Sequence, residues 1–381
     1  MGICLYTRRL AVYICTSLKA SRVIRRLAVL GLLMPVISSC ASAIPSQYRV
    51  NNSGLYTSTV DVVAKPLLDV QASSPQSPVE FSFSAFGDAG WASSHVATPV
   101  YRSGFRRAYQ QLDPSRSLVG DINFINWETS VGHRCSAFWA PRSKSSFAFL
   151  SHPQDLADAS LIGFNLIGLA NNHSFDCLRS PEGLGPLQTL SHLSGISRQI
   201  SSSKSAVLFN GIYTSSTALP SSGIYAVSGG LVPVTFISAY IGGDAVYCKN
   251  IICDKDLARL KTQMATASGF RVLALHSWNP QSHSKLKVIL SSWIHANLVD
   301  VAIGTGPHGA EPISIIKTRH GNRVLATSLG NFIHPSLSAQ QNNVVVTSKW
   351  RFDPSSGAVD LLSLKPVKIS CNGAVCAKTK K

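Results

Sequence analysis

From Val79 onward the chain repeats one local pattern. Short apolar, β-favouring runs stop abruptly at polar residues, and helix-like stretches lie between several of them. The runs cover 79–87, stopping at Asp88; 118–125, stopping at Asn126-Trp127-Glu128; 161–170, stopping at Asn171-Asn172-His173; 271–275, stopping at His276; 299–304, leading to His308; and 323–329, stopping at Gly330-Asn331. Helices are predicted over 98–112, 153–160, 181–194, 255–268 and 285–298. Near-continuous apolar strands alternating with helices argue for an α/β domain with a largely buried sheet. Residues 205–245 differ, being hydrophobic stretches broken by Gly, Ser and Pro, and predict further strands of a second sheet, a hairpin being one arrangement. No period of 20–50 residues recurs, which excludes a solenoid. One domain over 79–369 is the simplest division. In open α/β sheets ligands bind beyond the carboxyl ends of the strands, which is where the polar stops fall.

The first 78 residues obey a different logic. A basic stretch ends at Arg25-Arg26, an apolar run covers Leu27 to Ile37, and Ile37-Ser38-Ser39-Cys40 comes next. The run is short for a permanent transmembrane helix and has the basic-then-apolar order of an export signal. Its ending resembles a bacterial lipobox, in which Cys40 would be lipidated and become the mature N-terminus. An ordinary signal cut near Ala41-Ser42-Ala43, or an uncleaved anchor, are the other readings. The residues after the arginine pairs at 8–9 and 25–26 fit a twin-arginine signal poorly, so Sec-type export is read. Residues 41–78, rich in Ser, Asn, Gln and Pro, read as a polar tether. The expected location is the bacterial cell envelope, periplasmic or on the outer surface, with a membrane-anchored lipoprotein as the first form.

Composition changes the picture in two ways. Hydrophobic residues make up 45% and charged residues 14%, so a sizeable core is available and global disorder is excluded. The formal net charge of +17 invites a nucleic-acid reading, yet six of the bases lie in residues 1–40, where there is no acid. The remaining 29 bases against 18 acids leave a scattered +11. Within it stand a modest Arg106-Arg107 pair and a basic tail at 370–381, with Lys378, Lys380 and Lys381. A solvated surface is the plain reading, and attraction to an anionic polymer or phospholipid surface is the sharper one. Nothing resembles a nucleic-acid-binding module.

Cysteine usage agrees with export. Cys4, Cys15 and Cys40 fall in the signal region, leaving Cys135, Cys177, Cys248, Cys253, Cys371 and Cys376, an even number. Cys248–Cys253 and Cys371–Cys376 are each spaced for a small local loop, which would leave Cys135 to Cys177. Six cysteines allow 15 pairings, so this is a preference. No CxxC pair is present, which disfavours a zinc site on these residues.

A lone Asp or His at a strand end is usually a turn-former or a cap. Six successive strand ends carrying Asp, Glu, Asn and His supply oxygen and imidazole donors suited to a divalent metal such as Mn, Fe or Zn. In this setting Phe86-Gly87-Asp88, Asn126-Trp127-Glu128-Thr129, Leu169-Ala170-Asn171-Asn172-His173-Ser174-Phe175-Asp176, Pro307-His308 and Ser328-Leu329-Gly330-Asn331-Phe332 occur in order. Together they resemble the bacterial CapA family, the capsule and poly-γ-glutamate synthesis proteins related to calcineurin-like metallophosphoesterases. The resemblance covers roughly residues 80–335.

The resemblance implies a metallophosphoesterase-like α/β/β/α sandwich, with active-site loops at the carboxyl ends of the strands. It implies Asp88, Glu128, Asn172, His276 and His308 as metal ligands and His173 as the group that contacts or protonates the substrate. Asp176 is implied to orient His173 or to cap the next helix. One or two divalent ions are implied, with metal-activated water attacking a phosphate ester or related linkage in line and a neighbouring acid assisting the leaving group. Implied partners are an anionic envelope polymer or phosphate-ester substrate, a membrane reached through the lipid anchor, and other polymer-synthesis proteins. Two departures stand out. Where the family has His-Trp-Gly-Glu this chain has His276-Ser277-Trp278-Asn279, and where it has His-Pro-His this chain has Gly306-Pro307-His308. Two donors fewer imply one metal, a weaker site or a lost one, with His334 a candidate replacement. An exported metal-dependent phosphoester hydrolase and a degenerate, non-catalytic polymer-binding protein therefore both remain open. The absence of a Gly-x-Ser-x-Gly elbow speaks against a serine hydrolase.

For Trp91, Trp127 and Trp139, packing in the core or at the rim is the plainer reading, and stacking on a sugar or nucleobase the sharper one. His95, His133, His192 and His320 read as surface residues.

Overall fold

Strand β1 (Val79–Ala89) organises the molecule through its alternation. Phe81, Phe83 and Ala85 point into one apolar cluster, while Phe86 and Ala89 point into another on the opposite face. The computed structural model describes residues 77–200, 206–214, 218–336 and 340–379, all of them within the unit Tyr56–Lys381. The export signal, Cys40 and the tether up to residue 76 lie outside the described residues.

The order continues with α1 (Gly104–Leu112), β2 (Ile122–Trp127), β3 (Ser130–Val131), β4 (Ala137–Phe138), β5 (Leu150–Ser151), α2 (Pro153–Ile162), β6 (Leu166–Gly168), β7 (Cys177–Arg179) and α3 (Pro186–Ile200). Then come β8 (Leu208–Asn210), β9 (Ser221–Val227), β10 (Gly230–Ile241), α4 (Leu257–Thr266), β11 (Phe270–Ser277), α5 (Pro280–His295), β12 (Val301–Thr305), β13 (Ile313–Thr318) and β14 (Gly321–Ala326). The chain ends in β15 (Gln340–Phe352), β16 (Val359–Asn372) and β17 (Val375–Lys378).

Two sheets carry the fold. One has seven strands in the order β17-β16-β15-β1-β2-β6-β8, and the other six in the order β13-β14-β12-β11-β10-β9. Strands β1, β2, β6 and β8 run parallel, as do β10, β11, β12 and β14, and antiparallel strands finish both sheets. Between the sheets, Phe83 and Phe124 meet Phe236, Phe270, Val272, Val301 and Trp350. The outer face of the first sheet packs on α1, α2 and α3 through Ile125, Ile167, Phe105, Tyr109, Leu156 and Ile196. The outer face of the second packs on α4 and α5 through Ile237, Leu273, Leu275, Leu260, Leu290 and Trp293. The layers are thus helix, sheet, sheet, helix, the α/β/β/α sandwich expected. Strands buried on both faces explain why the runs read as continuous rather than alternating.

Several boundaries differ from the sequence reading. The run 161–170 is divided: Leu161 and Ile162 close α2, Gly163 turns the chain at φ 124°, and β6 begins only at Leu166. Helix α5 starts five residues earlier than expected, because Pro280 takes its first position and Asn279 and Ser282 cap it reciprocally. Helix α3 starts later, at Pro186, just after Gly185 in the left-handed region. The hairpin expected in 205–245 is β9–β10 of the second sheet, whereas β8 joins the first. The stretch from 370 is not a free tail in its described part. β16 pairs with β17 with Cys371 opposite Cys376, and Lys378 Nζ reaches Asp113 Oδ1 at 2.9 Å on the end of α1. Among the described residues no helix is long and apolar enough to cross a membrane.

Candidate functional site

Asp88 is set in place by close backbone packing. A β-bulge lies between Ala85 and Asp88, and a Cβ on Gly87 would stand 1.8 Å from the Gly330 carbonyl oxygen. Only glycine admits that approach, which lets Asp88 N–H donate to Gly330 at 3.0 Å and Phe332 N–H donate to Asp88 at 2.7 Å. The Gly-Asp and Gly-Asn-Phe motifs are therefore two sides of one junction. The Asp88 carboxylate is fully buried; Oδ1 accepts from Asn126 Nδ2 at 2.7 Å and Oδ2 from Gly306 N–H at 2.8 Å. Gly306 takes φ 113°, and a side chain there would collide with the Ser277 carbonyl.

Glu128 stands just beyond the end of β2 and is 1% exposed, yet neither carboxylate oxygen has a hydrogen-bond partner. His276, at the end of β11, lies between the two acids: Nδ1 is 3.5 Å from Asp88 Oδ1 and Nε2 is 3.5 Å from Glu128 Oε1. Thr305 Oγ1 lies 2.9 Å from His276 Nδ1, and His276 Nε2–H donates to Asn172 Oδ1 at 2.6 Å. His308 adopts φ 60°, an uncommon left-handed conformation for a non-glycine residue, with Nδ1 2.7 Å from Asn331 Oδ1 and 4.0 Å from Asp88 Oδ2. Asp88, Glu128 and His308 each offer a ligand atom within 4.8 Å of the others.

Electrostatics sharpen this geometry. Burial pushes Glu128 well above the usual carboxylate range, and the neighbouring Asp88 and Asp176 charges add to the rise. Burial also opposes ionisation of Asp88, but hydrogen bonding and attraction from His276, then His308 and Asn126, win and hold it low. Burial lowers His276, with Asp88 pulling the other way. A buried carboxylate without a hydrogen bond, beside a buried ionised one, is costly unless a cation satisfies both. Together with imidazole and carboxamide donors, this set fits a divalent metal.

Asn172 and His173 occupy the turn after β6. Asn171 holds that turn, its Oδ1 accepting from His173 N–H at 3.0 Å and its Nδ2 donating to the Trp127 carbonyl at 2.9 Å. His173 Nδ1 contacts Asp176 Oδ2 at 2.7 Å, leaving Nε2 as the ring nitrogen available to a ligand. Burial raises Asp176, opposed chiefly by His173. All six cysteines pair as the spacing favours: Cys135–Cys177, Cys248–Cys253 and Cys371–Cys376. The first staples the loop beyond Glu128 to the residue after Asp176.

The five expected ligands therefore gather at one end of the two sheets, while Cys40 is outside the described residues. Asn279, at the position of the family's glutamate, caps α5, and Trp278 is exposed. His334 is fully buried against Phe149, its Nδ1 accepting from Ser336 N–H at 3.3 Å, and burial pushes it down to about 3. It is not among the residues whose ligand atoms converge. Trp127 is buried core, Trp91 packs half-buried on α1, and Trp139 is exposed. Of the histidines read as surface, two are half-buried: His95, whose Nε2 lies 3.1 Å from the Ala140 carbonyl oxygen, and His192, whose Nε2 has no hydrogen-bond partner. Sequence reasoning named Asn126 and Asn331 among the polar strand ends without a role at the site, and passed over Thr305, which ends β12. Tyr247, whose hydroxyl donates to the Asn171 and Asn172 carbonyls, sits in a loop that carries no such signal.

Residues 82–197 match the family model described as bacterial capsule synthesis protein PGA_cap. No curated protein matches the chain. Among solved structures, a novel phosphatase from Mycoplasma pneumoniae is 11% identical, with a TM-score of 0.43 over 78% of this chain and 96% of its own. A hypothetical protein from Thermus thermophilus is 10% identical, with a TM-score of 0.42 over 76% of this chain and 99% of its own. The resemblance carried by the strand-end motifs thus holds through residues 82–197, where the chain is similar to the bacterial capsule synthesis proteins.

Proposed function

We propose that this chain is an exported, lipid-anchored, metal-dependent phosphoester hydrolase of cell-envelope polymer metabolism. The observation that carries the reading is Glu128, a buried carboxylate with two unpartnered oxygens facing a second buried carboxylate and two imidazoles. Asp88, Glu128, Asn172, His276 and His308 would hold the ion. Bound there, a divalent ion supplies Lewis acidity toward phosphoryl oxygens and acidifies water to near neutral pKa.

The protein's own groups do the rest. Asn126, Gly306 and His276 fix the Asp88 carboxylate, and Asn331 holds the His308 ring. Asp176 commits Nδ1 of His173 and so aims Nε2 at the leaving oxygen, to which it would deliver a proton, a contribution of roughly 10²–10⁴-fold. The similarity to capsule synthesis proteins and the three disulfides support an envelope location.

The full-length chain should bind stoichiometric Mn or Zn by elemental analysis and hydrolyse bis(p-nitrophenyl) phosphate or p-nitrophenyl phosphate. Absence of metal after reconstitution refutes the reading. One observation favours a second, non-catalytic role: Gly306 stands where the resemblance implies another imidazole. Metal binding without turnover on either substrate would select it.

A further inference from the structure

We propose that the loop 133–147 is a subsite for an acidic saccharide, which would make the hydrolase's substrate an anionic glycan; the substrate part of this statement rests on the reading above. The loop is tied to Asp176, the residue that orients His173, at Trp139 and again just past its end at Phe149. Trp139 N–H donates to the Asp176 carbonyl at 2.8 Å, and Phe149 N–H donates to Asp176 Oδ2 at 2.6 Å. Cys135–Cys177 pins the entry strand. Inside the loop, Ser143 N–H donates to Ser146 Oγ at 3.1 Å, and Ser146 Oγ–H donates to the Pro141 carbonyl.

Two aromatic lines lead from this surface to the site. Trp139, 44% exposed, packs edge-on against Phe175 and Tyr247 with ring centroids at 5.6 and 6.2 Å, and Tyr247 adjoins Tyr240, which lies 6.1 Å from His276. Phe147, 51% exposed, stacks on Phe149, whose ring centroid is 4.6 Å from that of His173. An exposed Trp face supported edge-on from beneath offers a flat apolar platform to the C–H face of a sugar ring.

The polar groups select which ring. From Thr129 to Pro153 there is no Asp, Glu, Asn or Gln, while Arg134, Arg142 and Lys144 are exposed among serines. Reading an adenine or cytosine edge favours carboxamide or carboxylate partners, and the loop has neither among its side chains. Guanidinium, ammonium and hydroxyl groups suit sugar hydroxyls bearing carboxylate or phosphate. Arg142 and Lys144 lie three and five residues beyond Trp139, so the platform and the charges belong to the same loop.

The test is a fluorescence titration of the full-length chain with hyaluronate oligosaccharide at low salt, in chelator and again in Mn. Binding is expected in both. Trp139→Ala should weaken it about tenfold and Trp139→Phe by less than about threefold, which separates loss of the ring from misfolding. Arg142→Ser with Lys144→Ser should weaken it similarly and flatten its salt dependence. Neutral dextran and AMP should not compete. An unchanged Trp139→Ala affinity, competition by AMP, or polyglutamate binding as tightly and independently of Trp139 would each overturn the proposal. Binding that shows the expected pattern in a chain that takes up no metal would overturn the hydrolase and leave the subsite standing.

Discussion

Replacing Glu128 by Gln isolates what this buried acid does. It removes the ionisable group, keeps the shape, and supplies an amide toward Asp88. The ligand atoms of Asp88 and Glu128 lie within 4.8 Å. Two unit charges at that separation repel by about 3.5 kcal/mol at an effective dielectric of about 20. Without metal the protein avoids this by keeping Glu128 protonated, at a cost that falls as the pH is lowered. The Gln variant should therefore melt in chelator at or a few degrees above the parent chain at neutral pH. Metal reverses the order. An ion at about 100 times its Kd stabilises the parent by roughly 2.7 kcal/mol, which for a domain of this size is about 5 °C in Tm. Glu128→Gln should lose most of that shift. The assay is calorimetry of the full-length chain in EDTA and in Mn, with elemental analysis in parallel. Equal Mn shifts in both proteins would refute the reasoning, as would a collapse of the variant in EDTA comparable to a core deletion.

Three further outcomes are expected from other parts of the fold. Cys135→Ser with Cys177→Ser opens a link with sequence separation 42; chain-entropy closure of that length is worth about 4 kcal/mol, so chemical denaturation should show a loss of that order and none for a surface Ser→Ala control. Gly87→Ala would put a methyl 1.8 Å from the Gly330 oxygen and should lower stability by about 3 kcal/mol or more, with metal uptake reduced because Asp88 is carried with the backbone. Asp155, buried in the first turn of α2 beside Asp158, is pushed up to about 7, chiefly by burial. Its folded form holds a proton that the unfolded form gives up near pH 3.9, so stability should fall as pH rises from about 4 toward 8. Asp155→Asn should remove that slope and gain at most about 4 kcal/mol at pH 8, read by urea melts across pH, an unchanged slope ruling out this assignment.

The chain's own pattern was enough to bring the candidate site residues to one end of the sheets. Apolar runs that stop at Asp88, Glu128, Asn172 and His276 mark strands buried on both faces, and such strands place their terminal polar residues at one sheet end. The even set of six cysteines with two five-residue spacings likewise pointed to the pairing that the fold adopts. Tertiary structure decided what local pattern does not encode. The run 161–170 is apolar throughout, and only packing divides it between the end of α2 and β6. The stretch from 370 looks like a basic tail because its side chains are largely exposed, yet backbone pairing, a disulfide and Lys378 on Asp113 join it to the sheet. Asn279 stands where the resemblance implies a glutamate and caps α5, whereas Asn331 and Thr305 contact the imidazoles of His308 and His276. These roles depend on contacts between residues 23 and 29 positions apart in the chain, a distance over which periodicity carries no information. The same long-range folding brings the basic, aromatic loop after Glu128 beside Asp176 and His173.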